Sequence, residues 1–400
     1  MKNYKAEKIF IVSLFSLFFI FVCLAVFAPR TGQHKIFFRE TADYMADYHN
    51  NINYSAGLNP YHHGVIIPPD PQERIYPPLV YAIFHLLGKA GRGAGISNTS
   101  LAVSNLFMFY CFSALLGVLF AGYKGGRNYA MLLCAAFAVS GIFIFSYERG
   151  NIIVLSAALS AFFIFNYRSK NPFIREAALL CLAFAAALKI SPALLGLLLL
   201  FDKRWKEALR AVIYGAALAL LPFTLLEGGF SNIAVWLKNI KIHNEIYGHL
   251  SYPRFNFRYW LMVTPEFYAI LSWFGAALGI TAAVTSFFQN IRWRQVMQLL
   301  LVFAVLPPDS GPYTALYLFA GIILFFNREE KEYGRLDDWF LLLFIALLNP
   351  LKIILEGGDV SMLAVNVSAS VMLILLTADS IAKTYIFIRQ KLLQAWPQVR

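Results

Sequence analysis

Charge is what this 400-residue sequence has least of: only 14% of its residues are Asp, Glu, Lys or Arg, against 59% hydrophobic. Mean hydropathy is +0.60. A soluble domain carries about 25% charged residues, so this chain could not cover its own surface in water. That excludes a cytosolic enzyme and a disordered chain. Cysteine is nearly as scarce. Cys23, Cys111, Cys134 and Cys181 all lie inside apolar runs, with no CxxC or HExxH pattern beside them. Neither a disulfide framework nor a metal site is expected. Low-complexity tracts and internal repeats are missing too. The net charge of +12 comes without a contiguous basic stripe interleaved with aromatics, so nucleic acid is not an expected partner.

What the sequence does have is apolar runs of about 20 residues, enough to cross a hydrocarbon core of roughly 30 Å. The expected fold is all-α: a polytopic helical membrane protein with about 10–12 membrane helices including two broken hairpins, and with interfacial helices in the first outer loop. One integral-membrane domain spans residues 1–400. After Lys2, Lys5 and Lys8 comes an apolar run from Ile9 to Phe27. It is too long for a signal-peptide core and reads as a retained anchor. Residues 29–100 form a first outer loop. Within it, residues 79–88 are apolar but reach only about 15 Å as a helix, which makes them interfacial rather than spanning. Spans follow at about 101–122, 129–147, 152–167, 209–227, 266–288, 338–355 and 360–380, with a second outer loop at 228–265 whose first part is amphipathic. Basic clusters such as Arg168/Lys170/Arg175, Lys203/Arg204/Lys206 and Arg292/Arg294 then fall on one side. The positive-inside rule makes that side cytoplasmic, with both termini on it.

Two apolar stretches carry cations at both ends, which a single crossing cannot satisfy. Residues 177–202 hold Lys189 and Pro192 at their centre, and residues 295–327 hold Leu306-Pro307-Pro308-Asp309-Ser310-Gly311-Pro312-Tyr313. Each reads as a helix that rises, breaks and returns; the alternative is one bent span. Broken backbone at membrane depth persists only where protein or water satisfies it, so the two breaks point to an internal polar cavity.

Asp43 and Asp47 follow the first span. On a helix they would share a face, and a carboxylate just outside the membrane can act as a general base. No third ligand accompanies them, and His62-His63 have no acidic or thiol partner nearby, so no metal is expected. At this point the sequence resembles glycosyltransferase family 87. The resemblance runs through Asp43, Tyr48, Gly57-x-Asn59-Pro60-Tyr61 and Tyr76-Pro77-Pro78-Leu79, then Arg149-Gly150-Asn151, Leu188-Lys189-x-x-Pro192 and Lys203-Arg204-Trp205. These motifs cover about residues 10–210. In the C-terminal half, Pro308-Asp309-Ser310 is followed by Gly311-Pro312-Tyr313, without the histidine the family often carries there.

The resemblance implies an inverting, GT-C-type transfer of a hexose, with mannose among the candidates, from a polyprenyl-phosphate donor. The acceptor would be a lipid-linked or cell-envelope glycan at the outer face of a bacterial inner membrane. No cofactor is implied; the partners are membrane lipid, the donor and a glycolipid or glycan acceptor. By motif position Asp43 is the base. Lys189, Arg149, Arg254 and Arg258 are the candidates for holding the leaving phosphate. Asp47, Tyr48, Tyr61, Tyr76, Glu148, Asn151, Asp309, Ser310 and Tyr313 are expected around the substrate. A lipid-linked-sugar flippase or transporter is the competing reading, because transporters also build sites from broken helices.

Overall fold

The computed structural model describes residues 4–27, 44–61, 74–97, 100–248, 265–307, 311–329, 334–351, 354–355 and 358–395. Helix α1 (Lys5–Phe27) is followed by α2 (Ala46–Tyr54), α3 (Pro78–Gly93) and α4 (Leu101–Gly122). Then come α5 (Arg127–Ala138), α6 (Gly141–Arg149), α7 (Ile153–Asn166) and α8 (Pro172–Leu188). A 3-10 segment (Ser191–Gly196) leads into α9 (Leu197–Phe201) and α10 (Trp205–Leu220), which tightens into another 3-10 segment (Leu221–Leu225). Helices α11 (Asn232–Gly248), α12 (Pro265–Thr285) and α13 (Arg292–Val305) precede a 3-10 segment (Pro312–Tyr317) that opens α14 (Leu318–Phe326). The chain closes with α15 (Arg335–Leu348), a two-residue antiparallel ladder of β1 (Ile354–Leu355) and β2 (Gly358–Asp359), and α16 (Val360–Ala395).

The protein is an all-α membrane protein. Among the described residues four helical stretches are long and apolar enough to span: α1, α4, Trp205–Leu225 and Ala364–Gln394. A fifth is added if α5 and α6, bent by 57° at their junction, count as one. The remaining apolar helices are shorter, because the chain breaks them. These helices leave Phe19, Val26, Phe109, Val212, Ile213 and Ile386 exposed, far more apolar surface than a soluble monomer shows, as expected of faces covered by lipid.

Long-range polar contacts sort the helix ends into two groups. At one end, Tyr123 at the close of α4 donates to Glu7 in the first turn of α1 (3.0 Å), and Asn327 beyond α14 donates to the Gly122 carbonyl (2.8 Å). Tyr167 and Arg168, ending α7, both donate to Asp202 beyond α9. Arg175 of α8 and Arg204 before α10 share Glu207 at 3.8 Å. Arg292 of α13 stacks over the Tyr167 ring at 4.9 Å. Arg294 joins Asp337 of α15 (3.0 Å) and Asp379 of α16 (3.2 Å). We call this the basic end.

The first run expected to break does break. Asn171 caps α8 by accepting from the Phe173 and Ile174 amides, with Pro172 in the first turn. Extended backbone at Lys189 ends the helix, and Pro192 keeps it from resuming as α-helix. The return leg brings Glu207 and Arg210 of α10 back to Arg175 and Glu176 of α8. The start of α8 lies earlier than the apolar run suggests. Its 17 residues rise about 25 Å from the basic end, so Lys189 reaches the opposite end instead of the middle of the layer.

The second run folds back symmetrically. The Thr314 hydroxyl donates to the Ala304 carbonyl at 3.2 Å, and Gly321 presses on Met297, so residues equally far from the turn meet. A Cβ at Gly321 would lie 2.6 Å from the Met297 methyl, which is why α14 lies so close to α13.

The expected span 129–147 is instead two helices. At the bend, a Cβ on Gly141 would sit 2.4 Å from the Asn349 carbonyl oxygen, and the approach of that backbone is what the bend accommodates. Helix α16 is also longer than expected, 36 residues in place of a span over 360–380.

The fold makes a stability prediction at the basic end. The Asp337 side chain has no solvent exposure and Arg294 has 9%. Removing Arg294 strips the closest cation from a buried carboxylate, so Arg294→Ala should destabilise the protein by about 3 kcal/mol. Arg175→Ala, at a longer and wetter pair, should change stability by about 1 kcal/mol or less. Thermal unfolding of both variants in detergent checks the ordering.

Candidate active site

At the end opposite the basic cluster, a second group of polar side chains converges. Met45 adopts left-handed backbone (φ 56°) and opens α2. Its amide donates to the Glu148 carbonyl at 2.7 Å, which joins the segment after α1 to the last turn of α6. Gly150, also left-handed (φ +66°), caps α6. The fit is close enough that a Cβ on Gly150 would lie 3.1 Å from both Met45 Cα and Tyr48 Cβ. This position requires glycine on both conformational and steric grounds.

The contact delivers Asp47, in the first turn of α2, to the ends of α6 and α7. Arg149 Nη2 meets Asp47 Oδ1 at 2.6 Å, with the two side chains 27% and 16% exposed. Asn151 Nδ2 donates to the other carboxylate oxygen at 2.7 Å and reaches the Tyr76 hydroxyl at 3.2 Å. The Asn151 side-chain oxygen meanwhile accepts from the Ile153 amide and so starts α7. Lys189 Nζ stands 4.3 Å from the centre of the Tyr76 ring, in a cation–π contact. Burial, then the Asp47 charge and the nearby Tyr313, pushes the Tyr76 phenol well above its usual pKa. It therefore stays protonated at any physiological pH and keeps a proton to donate.

Several elements hold Tyr76 in place. The Tyr61 hydroxyl donates to the Tyr76 carbonyl at 2.8 Å. Trp236 of α11 donates to the Ile75 carbonyl at 2.8 Å, and Asn239 reaches the Tyr61 and Arg74 carbonyls at 3.4 Å. Arg74 donates to the Pro60 carbonyl and lies over the Tyr54 ring. Helix α11, the amphipathic first part of the second loop, is thus a brace behind the Tyr76 segment.

The residues singled out in the sequence divide as follows. Asp47, Tyr76, Arg149, Asn151 and Lys189 come together, with Glu148 buried beside them. Tyr313 joins through its influence on Tyr76 and lies parallel to Phe145 at 6.3 Å. Tyr48 and Tyr61 do not face this group. Tyr48 is buried among Phe84, Phe107 and His49, and Tyr61 among Tyr81 and Phe223, because their rings complete aromatic clusters behind the polar one. Asp43, Arg254, Arg258, Asp309 and Ser310 lie outside the described residues, as do His62 and His63. The helix that would place Asp43 and Asp47 on one face does not form, since α2 begins at Ala46 after the left-handed Met45. Among the described residues no group of three or more His, Cys, Asp or Glu could hold a metal ion.

Sequence reading missed Asn105. Its side-chain oxygen accepts from both the Tyr44 hydroxyl (2.6 Å) and the Tyr147 hydroxyl (2.9 Å), tying the residue next to Asp43 to α4 and α6. The available signal was one amide, the fifth residue of a largely apolar span.

A family model described as glycosyltransferase family 87 matches residues 75–308. The match covers more than half of the chain, and the chain belongs to glycosyltransferase family 87. No curated protein and no solved structure matches it. The matched region contains Tyr76, Glu148, Arg149, Asn151 and Lys189; Asp47 precedes it and Tyr313 follows. Family membership identifies a glycosyltransferase and favours transfer over transport.

The Gly150 contact is directly testable. Gly150→Ala imposes left-handed backbone on a residue with a Cβ, a cost of about 1–2 kcal/mol before any clash. It should lower thermal stability and, by shifting Met45, loosen the Asp47–Arg149 pair. Unfolding curves and transferase assays on the same preparation check both effects.

Proposed function

We propose that this member of glycosyltransferase family 87 is an inverting enzyme. It moves a hexose from a polyprenyl-phosphate donor to a lipid-linked or envelope glycan at the outer face of a bacterial inner membrane. The observation that carries the reading is a run of contacts at the end of the bundle away from the basic cluster: Arg149 and Asn151 on Asp47, Asn151 on the Tyr76 phenol, and Lys189 over the Tyr76 ring. By the positive-inside rule the basic end is cytoplasmic and the Asp47 end is outer, with both termini inside.

The chemistry needs one base and one anion cradle. Asp43 takes the proton from the acceptor hydroxyl. That oxygen attacks the anomeric carbon from the face opposite the phosphate, the bond between carbon and phosphate oxygen breaks, and polyprenyl phosphate leaves with the electron pair. The anomeric configuration inverts. A phosphate leaves readily as an anion, so the second carboxylic acid of a glycosidase is not required. Lys189 and Arg149 hold the phosphate, joined by Arg254 and Arg258, and the Tyr76 hydroxyl adds a neutral donor. Asp47 is not the base in this scheme. Both of its oxygens already accept from Arg149 and Asn151, and its task is to aim them. Asp309, Ser310 and Tyr313 belong to the sugar or acceptor side. No cofactor or metal takes part in this scheme.

Covalent connectivity supports the choice of base. Tyr44 and Met45, the residues after Asp43, are anchored to Asn105 on α4 and to Glu148 on α6, the helix that ends in Arg149. Asp43→Asn should cut transfer from a radiolabelled polyprenyl-phosphate hexose by about 100-fold or more, the scale of a lost general base. Membrane insertion and thermal stability should stay unchanged. Undiminished transfer by this variant rules out Asp43 as the base.

A further inference from the structure

Three buried groups outside the Asp47 cluster form a continuous hydrogen-bond chain between the two broken hairpins. The Tyr317 hydroxyl donates to Ser156 Oγ at 2.8 Å, and the Ser156 hydroxyl donates to the Ala185 carbonyl at 3.0 Å. The same carbonyl accepts from the Lys189 amide at 3.0 Å, the last helical bond of α8 before the break. Tyr317, Ser156 and Ala185 are all essentially without solvent exposure.

Each end of this chain adjoins a chain reversal. Lys189 is the residue at which α8 stops, and its ammonium group meets the Tyr76 ring. Tyr317 closes the 3-10 segment that begins just after the second reversal and also contains Tyr313, whose ring lies parallel to Phe145 of α6, the helix that ends at Arg149. The Tyr317 ring packs edge-on against Phe303 of α13, so the tyrosine belongs to both legs of its hairpin. Ser156, on α7, is the link between the hairpins. A hydroxyl in an apolar layer has little alternative to the partner the protein supplies, so such a chain forms or fails as a unit.

We propose that the Tyr317–Ser156–Ala185 chain is a positioning element. It holds the reversal at Lys189 in register with the reversal that precedes Tyr313, and through Lys189 it thereby sets the affinity for the phosphate-bearing donor. The consequence for donor affinity rests on the reading of Lys189 as a phosphate ligand; the mechanical link between the reversals does not. None of the three groups is catalytic, because each acts through Lys189 or Tyr313.

Two measurements on the full chain in lipid nanodiscs test the proposal. The first reports on the reversal alone. Ile190, next to Lys189, is 60% exposed, so Ile190→Cys provides a thiol for a water-soluble maleimide. Adding Tyr317→Phe, or Ser156→Ala, should change the labelling rate several-fold, while Ser156→Thr, which keeps the hydroxyl, should leave it near the parent value. The second uses a polyprenyl-phosphate hexose. Tyr317→Phe should raise the donor KM by about tenfold, the scale of one lost buried hydrogen bond, with kcat within about twofold. Ser156→Ala should match it, and the double variant should be no worse than either single one.

Unchanged labelling in both Tyr317→Phe and Ser156→Ala overturns the link, as do additive losses in the double variant. Altered labelling with an unchanged donor KM overturns the consequence for affinity. If the wild type transfers no hexose from this donor, the donor assignment fails and the labelling still decides the link. If Tyr317→Phe does not fold, the comparison of Ser156→Ala with Ser156→Thr decides it.

Discussion

A chain with so few charges, folding in a medium that rewards none of them, must bring each charge to a surface or neutralise it against a partner. That constraint organises the molecule. At the basic end the answer is pairing: Arg168 with Asp202, Arg210 with Glu176, and Arg294 between Asp337 and Asp379. These pairs do more than cancel charge. Each joins segments distant in sequence, so the helices of the bundle are aligned at their cation-rich ends. Ion pairs of this kind contribute less to net stability than to the choice among packings.

At the other end the same constraint yields chemistry. Arg149 is held by one carboxylate that it shares with Asn151, and Lys189 by the face of an aromatic ring. A ring face attracts a cation through its quadrupole without adding a negative charge of its own. Similar residues thus take different surroundings at the two ends: carboxylate pairs that align helices at one, and a carboxylate, an amide and an aromatic ring brought together at the other.

The fold was legible wherever a local rule was broken. Lys189 and Pro192 inside one apolar run, and Pro307, Pro308 and Pro312 inside another, announced the two reversals. The apolar run by itself places Lys189 too deep, because α8 begins before it, where Asn171 caps the helix and Pro172 occupies the first turn. The bend between α5 and α6 arises from a close approach by the Asn349 backbone, over 200 residues away, which no local pattern encodes. The site was legible in part for the same reason. Arg149, Asn151 and Tyr76 stood out by motif, but the partnership of Arg149 with Asp47 across 102 positions belongs to the tertiary structure. Tyr48 and Tyr61 sit in recognisable motifs and yet serve packing, since a motif records which residues are needed without distinguishing those that touch substrate from those that support the ones that do.

The hairpins also bear on how such a chain can vary. Each leaves the apolar layer at the end by which it entered, so it contributes an even number of crossings. Its legs can lengthen, shorten or tilt, and its turn can be recut to suit another substrate, while every later loop stays on its own side. A span gained or lost elsewhere would invert everything downstream. Lys189 and Tyr313 lie on elements of even parity, so in the reading proposed above the part of the protein that meets substrate is separate from the part that sets orientation.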